Sequence, residues 1–525
     1  MPRWTRTNGV SVPQPSLRSP LTSPVIGILA NQCTLTAQFD SKERYKPPRC
    51  AESTRENILK KLRDWVEATS TPTPTPSPNP NNTGRPTTPN PNSFSSSFFW
   101  LHGGAGAGKS ALAQSLAEQL KESNNLAASF FFFSIEASRN NGDRLFPTII
   151  YQLTRIHAEY EKKVIDQLRR NQDIFSRPRD QQMRVLFTDP LIALHSERVD
   201  PSTFPRLIVI DGLDECKDTE HQSEILETIA QIILCNLPYH FRFLVASRPE
   251  GHINRAFDTN KFIKQIPVQK YDLSKDSDAS KDIRTFLQQE FKRLCEVHAI
   301  GSILENQGWP SETELSIVID RSSGHFVYPA TVIRYIESSK HRPDDRLGIV
   351  LGLSPRGPSD QPFSQLDALY NLILNDVDES NFIKIKRAFS ILYLISEKVG
   401  YFSIYRSGSS RIIQDMLLLR PGDLDLLFDP LRSLVAQESE EENLHVFHKT
   451  LFDFLLDPGR SQHFAVSKKL CHESAALYMH NTDILTSWSC KFYFSFFLPS
   501  NATHDECRRT GLYVLCLSLL PCPAY

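Results

Sequence analysis

An eight-residue stretch early in the chain has the composition of a phosphate-binding loop. Residues 103–110 read Gly-Gly-Ala-Gly-Ala-Gly-Lys-Ser, which fits the pattern GxxxxGK[S/T]. Phosphate oxygens need many N–H donors in a small concave space, and glycines let the backbone approach closely enough to supply them. Lys109 is expected to reach the β- and γ-phosphates, and the Ser110 hydroxyl to ligate Mg²⁺. The predicted nucleotide-binding residues here are Gly103, Gly104, Ala105, Gly106, Ala107, Gly108, Lys109, Ser110 and Ala111.

A second stretch whose residues could take part in catalysis is an apolar run that ends in carboxylates. Residues 207–215 read Leu-Ile-Val-Ile-Asp-Gly-Leu-Asp-Glu. An acidic residue at the carboxyl end of a parallel strand lies where ligands bind in such sheets, so Asp211 is predicted to hold Mg²⁺, through water. Asp214 and Glu215 are candidates to orient or deprotonate an attacking water. Gly212 occupies the place where many P-loop ATPases carry the catalytic glutamate, which predicts a base that comes from further along the chain or is weak.

The third stretch ends a further apolar run with an arginine. Residues 245–249 read Val-Ala-Ser-Arg-Pro. An arginine at the carboxyl edge of a sheet can contact a γ-phosphate through paired hydrogen bonds, so Arg248 is a candidate catalytic residue. A solvated arginine at a strand end is the alternative for this position, as a chance glycine-rich turn is for residues 103–110 and a common acidic turn for residues 211–215.

Short apolar strands alternate with helical patterns around these motifs. Apolar runs at 98–102, 128–134, 205–211 and 241–247 are separated by segments with helical periodicity. This alternation predicts an α/β fold, a parallel sheet with helices on both faces. Together with the loop it indicates a P-loop NTPase of the ASCE/AAA+-like kind. Beyond about residue 275 the pattern becomes helical, with helices expected at 282–296, 311–321 and 328–338.

Composition narrows the remaining function classes. The chain has 525 residues, 59 Lys and Arg against 60 Asp and Glu, and a formal charge of -1. This balance argues against a protein that coats nucleic acid or an anionic membrane. The ten cysteines form no CxxC pair, and no apolar run is long enough to cross a bilayer. We therefore expect a soluble, cytoplasmic protein with reduced thiols.

The order and wording of the three motifs resemble the NACHT family of signal-transducing STAND P-loop NTPases, in particular fungal members with a nephrocystin-3-like N-terminal domain. The likeness rests on WLHGGAGAGKSALAQSLA, LIVIDGLDEC and FLVASRPE, which look like that family's Walker A, Walker B and sensor 1. Weaker likeness spans about residues 50–500. It includes CAESTR (50–55) with Trp65, SGHFVYPAT (323–331) and VFHKTLFDF (446–454).

The resemblance implies two further nucleotide contacts. In the family a winged-helix histidine contacts the β-phosphate of ADP, which makes His448 the candidate, with His445 as a nearby rival. A proline of the helical subdomain packs against the adenine, which Pro329 matches, although a proline in the first turn of a helix needs no such role. ATP or ADP with Mg²⁺ are the implied cofactors, and a homo-oligomer with unknown signalling partners is the implied active form.

Composition and resemblance together suggest seven segments. We predict a disordered region over 1–50, a pre-NACHT helix over 51–69 and a Pro/Thr/Asn-rich linker over 70–95. An α/β nucleotide-binding domain follows over 96–275, then a helical subdomain over 276–345 and a winged-helix-like domain over 346–460. The last segment, 461–525, is expected to be helical. Relatives continue into ankyrin, tetratricopeptide or WD40 repeats, so truncation or an incorrect gene model stays an open alternative.

Three functions remain compatible with these motifs. The first is an ATP/ADP-dependent signalling switch that hydrolyses ATP slowly and changes conformation to promote assembly. The second is a turnover ATPase that remodels a partner, as AAA+ machines do, and Gly212 argues against it. The third is a truncated adaptor that binds nucleotide without signalling. ATP cannot be distinguished from GTP by these residues.

Overall fold

The computed structural model describes residues 24–44, 47–68, 96–134, 136–353, 363–397, 409–438, 443–467 and 469–470. The predicted linker 70–95 lies outside the described residues, as does residue 471 onward in the predicted segment 461–525. Within the described part, no helix is both long enough and apolar enough to span a bilayer.

A five-stranded parallel sheet forms the centre of the first half of the chain. Its strands lie in the order β2-β3-β4-β1-β5 and all four pairs are parallel. Inner strands are buried along their length because helices cover both faces, whereas β5 at the edge is partly exposed. The strands are β1 (Phe98–His102), β2 (Leu126–Phe131), β3 (Leu207–Asp211), β4 (Arg242–Ser247) and β5 (Val268–Asp272).

Nine helices accompany this sheet in the described residues. They are α1 (Pro24–Ala30), α2 (Glu56–Glu67), α3 (Lys109–Glu122), α4 (Leu145–Ile156), α5 (Ala158–Arg170), α6 (Arg179–Met183), α7 (Asp189–Ser196), α8 (Thr219–Leu234) and α9 (Gly251–Thr259). Apolar residues of α2 and α3 pack on one face, against residues such as Val209 and Leu244. Residues of α1, α4, α5, α7 and α8 pack on the other, against residues such as Ile210 and Val245. The predicted α/β fold, a parallel sheet with helices on both faces, is confirmed.

Helix α2 shows how the sequence pattern produces one of these layers. Ile58, Leu59, Leu62, Trp65 and Val66 recur at helical spacing, and all five are buried. The residue before the helix, Arg55, takes a left-handed conformation, and the helix begins at Glu56.

The N-terminal region differs from the predicted disorder. Among the described residues, 24–44 pack onto the α/β domain, with Ile26 and Leu29 of α1 buried. The Thr34 backbone N–H donates to the Thr148 hydroxyl at 2.9 Å. Arg44 stacks on the Phe131 ring with 3.6 Å to its centroid. The short apolar stretch is too small to fold alone, but it is sufficient to fill a groove that the rest of the domain provides.

The second half of the chain is helical, as predicted. Its helices are α10 (Ala279–Val297), α11 (Gly301–Asn306), α12 (Glu312–Ser322), α13 (Val327–Ile336), α14 (Pro343–Gly352), α15 (Ser364–Asn375), α16 (Glu379–Glu397), α17 (Ser409–Met416), α18 (Asp423–Phe428), α19 (Thr450–Leu455) and α20 (Pro458–Ser461). A two-stranded antiparallel ribbon, β6 (Val435–Glu438) and β7 (Asn443–Val446), lies between α18 and α19. One apolar core runs from Ile283 to Val466.

Candidate functional site

A cavity of about 510 Å³ lies at the carboxyl edge of the sheet. Its walls come from several separate parts of the chain. These are the segment around residues 43–55, the glycine-rich loop, the ends of β2, β3 and β4 with the residues that follow them, helices α10 and α13, and residues 446–449 before α19. The described fold thus brings residues more than 400 positions apart to one pocket.

The glycine-rich loop joins β1 to α3, which begins at Lys109. Gly106 and Gly108 have φ of 75° and 95°, which L side chains rarely adopt. Gly106 is also crowded, because a Cβ atom there would lie 2.3 Å from Val327 Cγ1 of α13. The predicted loop residues that border the cavity are Ala105, Gly106, Gly108, Lys109, Ser110 and Ala111, whereas Gly103, Gly104 and Ala107 do not.

Lys109 folds back over its own loop. Its Nζ donates to the carbonyl oxygens of Gly103 and Gly104 at 2.8 and 2.9 Å. Burial lowers the pKa of Lys109, and the nearby Asp214 partly opposes this effect. A desolvated ammonium held by two neutral carbonyls can exchange them for the stronger charge-assisted bonds of a phosphate.

Asp211 ends β3 inside the cavity, beside the N-terminal turn of α3. Its carboxylate lies close to the Ser110 side chain, and its buried Oδ1 has no hydrogen-bond partner among the described residues. Burial raises the pKa of Asp211 to about 6, although the Ser110 side chain lowers it. An unsatisfied buried carboxylate oxygen next to a hydroxyl suits a hard cation that takes oxygen ligands and keeps some of its waters. The two residues predicted to hold Mg²⁺ therefore lie together and fit that ion, although no cluster of three or more His, Cys, Asp or Glu side chains in the described residues forms a metal site.

The two carboxylates after Asp211 have different surroundings. Asp214 is buried and accepts the Arg248 backbone N–H at 2.9 Å, while the Arg248 Nε lies 3.3 Å from its Oδ2. Glu215 accepts the Ser134 backbone N–H at 2.9 Å, and burial raises its pKa. Gly212 between them and Asp211 has φ of 70°, and a Cβ atom there would lie 3.2 Å from the Phe132 carbonyl oxygen. The turn geometry thus accounts for a glycine where a base could otherwise follow Asp211.

Arg248 connects the sheet edge to the C-terminal helices. Its terminal nitrogen lies 2.9 Å from Asp453 Oδ2 on α19, besides the contacts with Asp214. Lys449, just before α19, approaches the same Asp214 carboxylate at 3.8 Å. The predicted γ-phosphate contact is therefore held by two carboxylates, one from each half of the chain.

His448 lies at the cavity wall contributed by the C-terminal helices. Its Nδ1 accepts the Thr450 backbone N–H at 3.2 Å and is 2.8 Å from the Thr450 hydroxyl, which in turn is 2.7 Å from the Tyr370 hydroxyl. Burial, followed by the charges of Arg248 and other cations, lowers the pKa of His448 to about 3. The neutral ring therefore keeps its proton on Nε2, which makes it a hydrogen-bond donor.

Pro329 does not border the cavity. It lies buried in the first turn of α13, where Phe326, Val327 and Ala330 face the cavity instead. This placement agrees with the plain interpretation of Pro329 as a proline near a helix start. The rival residue His445 lies on β7, paired with Ala436.

Several cavity residues were not predicted. Arg55 is buried, donates to the Ala107 carbonyl at 3.0 Å and pairs with Asp276, so it ties α2 to the glycine-rich loop. Arg44, Arg334 and Lys449 also border the cavity. These residues carry no local signal, because an isolated arginine or lysine in a helix or turn reads as a solvated surface residue.

Comparisons with known proteins match part of this chain. The family described as "Nephrocystin 3, N-terminal" matches residues 89–248, which is under a third of the chain. No curated protein matches. Among solved structures, the ORC2 protein of Aeropyrum pernix in its ADP form is 13% identical, with a TM-score of 0.29 over 73% of this chain and 88% of that chain. The family match contains the glycine-rich loop, Asp211 and Arg248, so the part of the chain that resembles a known family is the part that forms the sheet edge of the cavity.

Proposed function

We propose that this protein is an ATP/ADP-dependent signalling switch of the NACHT/STAND type, located in the cytoplasm. It binds a nucleoside triphosphate with Mg²⁺ in the cavity, hydrolyses it slowly and changes conformation to promote assembly with copies of itself and partners. One observation carries the proposal. The glycine-rich loop, the acidic strand end and residues 446–449 border one cavity, so a bound nucleotide would touch both halves of the chain at once.

In the proposed nucleotide site, different residues bind the phosphates, hold the magnesium ion and orient the attacking water. The loop amides and Lys109 bind the phosphates, while Ser110 and Asp211 hold the magnesium. The ion would neutralise developing charge on the phosphate oxygens. Glu215, with its raised pKa and its place at the cavity wall, is the better candidate to orient the attacking water, because Asp214 is engaged with Arg248.

Slow turnover follows from the same contacts. Glu215 stands four residues after Asp211, and Arg248 is held by Asp214 and Asp453. A γ-phosphate would have to compete with Asp453 for Arg248, and success would release α19 from the sheet edge. A ligand shifts such an equilibrium only by its different contacts in the two states, and this exchange of an anion partner is such a difference.

Binding measurements on the full chain test the proposal. We expect the wild-type protein to bind ATP and ADP with Mg²⁺, and Lys109→Ala to weaken both by roughly 10- to 100-fold through loss of a charge-assisted contact. Lys121→Ala is the matched control, since Lys121 is exposed at the other end of the same helix. Equal affinity of Lys109→Ala and wild type would refute the site.

Assembly and turnover are measured separately. Light scattering of the protein with ADP and with a non-hydrolysable ATP analogue should show a larger particle only in the second case. Many hydrolysis cycles per minute without any activator would contradict a switch and favour a remodelling machine.

A further inference from the structure

Arg334 is a cavity residue whose guanidinium has no direct ion pair in the described structure. It lies on α13 and borders the cavity, and its guanidinium carbon is 4.3 Å from the centroid of the Phe447 ring. Within the described residues it takes part in no ion pair and no hydrogen bond, and the Phe447 ring is its one direct contact partner, while Glu337 and Glu290 act on it only as more distant charges. Taking an arginine largely out of water without an acceptor is costly.

A neighbouring arginine shows what a structural arginine looks like in this fold. Arg346 lies on α14, outside the cavity, and stacks on Tyr335 of α13, the helix that also carries Arg334. Its guanidinium carbon is 4.2 Å from the centroid of the Tyr335 ring. It also donates to the Tyr335 carbonyl oxygen at 2.7 Å and lies 3.7 Å from the Asp376 carboxylate. Arg346 thus has both a hydrogen-bond acceptor and a counter-ion, whereas Arg334, at a similar distance from an aromatic ring, has neither within hydrogen-bond or ion-pair distance among the described residues.

Four cations converge on the corner of the cavity around His448. Arg248, Lys109, Arg334 and Lys449 all lower the pKa of that imidazole. Lys109 is bonded to loop carbonyls, while Arg248 and Lys449 face the Asp214 carboxylate. Only Arg334 of these four enters the corner without an acceptor in the described residues. Its unused donors therefore point to an anion that is not part of the chain.

We infer that Arg334 is a phosphate-binding residue that borders the nucleotide site from the helical half of the chain. This inference rests on the proposed function, because the anion is a phosphate of the bound nucleotide. Guanidinium groups bind phosphate oxygens through two parallel hydrogen bonds, a geometry that a lysine cannot provide. Since Phe447 directly precedes His448, a phosphate held by Arg334 also fixes α13 against the turn that carries His448.

Nucleotide affinity of the full chain tests this role. In the presence of Mg²⁺, Arg334→Met should weaken ATP or ADP by roughly 10- to 100-fold, and Arg334→Lys by less. Arg346→Met, which also removes a stacked arginine from the α13–α14 region, should leave both affinities at the wild-type value. Inorganic pyrophosphate should raise the melting temperature of the wild type and of Arg346→Met, but not that of Arg334→Met.

The ligand-free melting temperature separates binding from structure. If Arg334 serves a phosphate, Arg334→Met without ligand melts at or above the wild-type temperature, because an unpaired cation has been replaced by an apolar chain. A lower ligand-free melting temperature with an unchanged pyrophosphate shift would show a structural role and overturn the inference. So would unchanged ATP and ADP affinities of Arg334→Met alongside a weakened Lys109→Ala. If Lys109→Ala is also unchanged, the proposed function fails as well.

Discussion

Arg248 and Asp453 form an ion pair of 2.9 Å that joins the end of β4 to α19. The pair is largely shielded from water, so its attraction is stronger than that of a surface pair. It places a carboxylate of the chain next to the residue proposed to meet the γ-phosphate. The two anions would therefore exclude each other, which links occupancy of the site to the position of the C-terminal helices.

Removing the Asp453 carboxylate should favour binding of the triphosphate over the diphosphate. We expect Asp453→Asn to strengthen ATP binding relative to ADP by about 5- to 50-fold, a typical range for coupling between two sites. Equilibrium titration with both nucleotides measures the ratio. Asp425→Asn, at an exposed position of α18, should leave it unchanged. An ATP/ADP ratio of Asp453→Asn equal to that of the wild type would show that the ion pair does not compete with the nucleotide.

Asp211→Asn should remove the magnesium dependence of binding. The buried Oδ1 of Asp211 has no hydrogen-bond partner among the described residues. The amide of an asparagine at this position carries no negative charge and should not hold the magnesium ion. In the wild type we expect EDTA to weaken ATP binding by about tenfold or more, whereas in Asp211→Asn the affinities with Mg²⁺ and with EDTA should coincide. The comparison needs no hydrolysis assay. A variant that still responds to Mg²⁺ as the wild type does would place the ion elsewhere.

Gly106→Ala should destabilise the fold more than Gly108→Ala. Both residues have positive φ, which costs an alanine about 1–2 kcal/mol. A Cβ atom at residue 106 would also lie 2.3 Å from Val327 Cγ1, whereas nothing lies within 4 Å at residue 108. The clash adds about 1–3 kcal/mol to the loss in unfolding free energy.

A double-mutant cycle isolates that clash. Combining Gly106→Ala with Val327→Ala should recover about 1 kcal/mol or more relative to the sum of the single changes, as measured by urea denaturation. Additive single and double variants would mean that the loop and α13 are not in contact.

The buried neutral His448 predicts a pH dependence of stability. Its pKa falls from about 6.5 in the unfolded chain to about 3 in the fold, so the unfolded chain binds the extra proton between these values. Above pH 6.5 His448 is neutral in both states and does not lower the free energy of unfolding. As the pH falls from 6.5 towards 3, its contribution lowers that free energy progressively. Urea denaturation at pH 7, 6 and 5 should show a shallower decline in His448→Asn than in the wild type. Parallel curves would mean that the imidazole is accessible to protons in the folded protein.

The packing of residues 24–44 predicts that truncating a buried side chain in this region lowers the unfolding free energy. Leu29 of α1 is fully buried, so Leu29→Ala should lower the unfolding free energy by about 2–4 kcal/mol. Leu35→Ala is the matched control, because Leu35 is 45% exposed, and we expect a change within about 0.5 kcal/mol. Urea denaturation of both variants decides the matter. Equal and negligible effects would restore the original expectation that this region is disordered.

Local patterns in the sequence were sufficient for the α/β fold and for the residues at the sheet edge. The run from Gly103 to Ser110 and the strand ending at Asp211 are short, contiguous signals, and their carboxyl-end positions follow from parallel pairing alone. The helices of the second half followed from periodicity, since each buries one face regardless of its partner.

Tertiary structure alone decided which distant residues complete the cavity. Arg334 and Lys449 line the cavity and Asp453 pairs with Arg248 beside it, although all three lie far in the sequence from the glycine-rich loop. A charged residue on a helix or turn has the same local pattern whether it faces solvent or a pocket. Their roles depend on how the helical half packs against the sheet. That packing is set by the sum of many weak long-range contacts, which no local window of sequence contains.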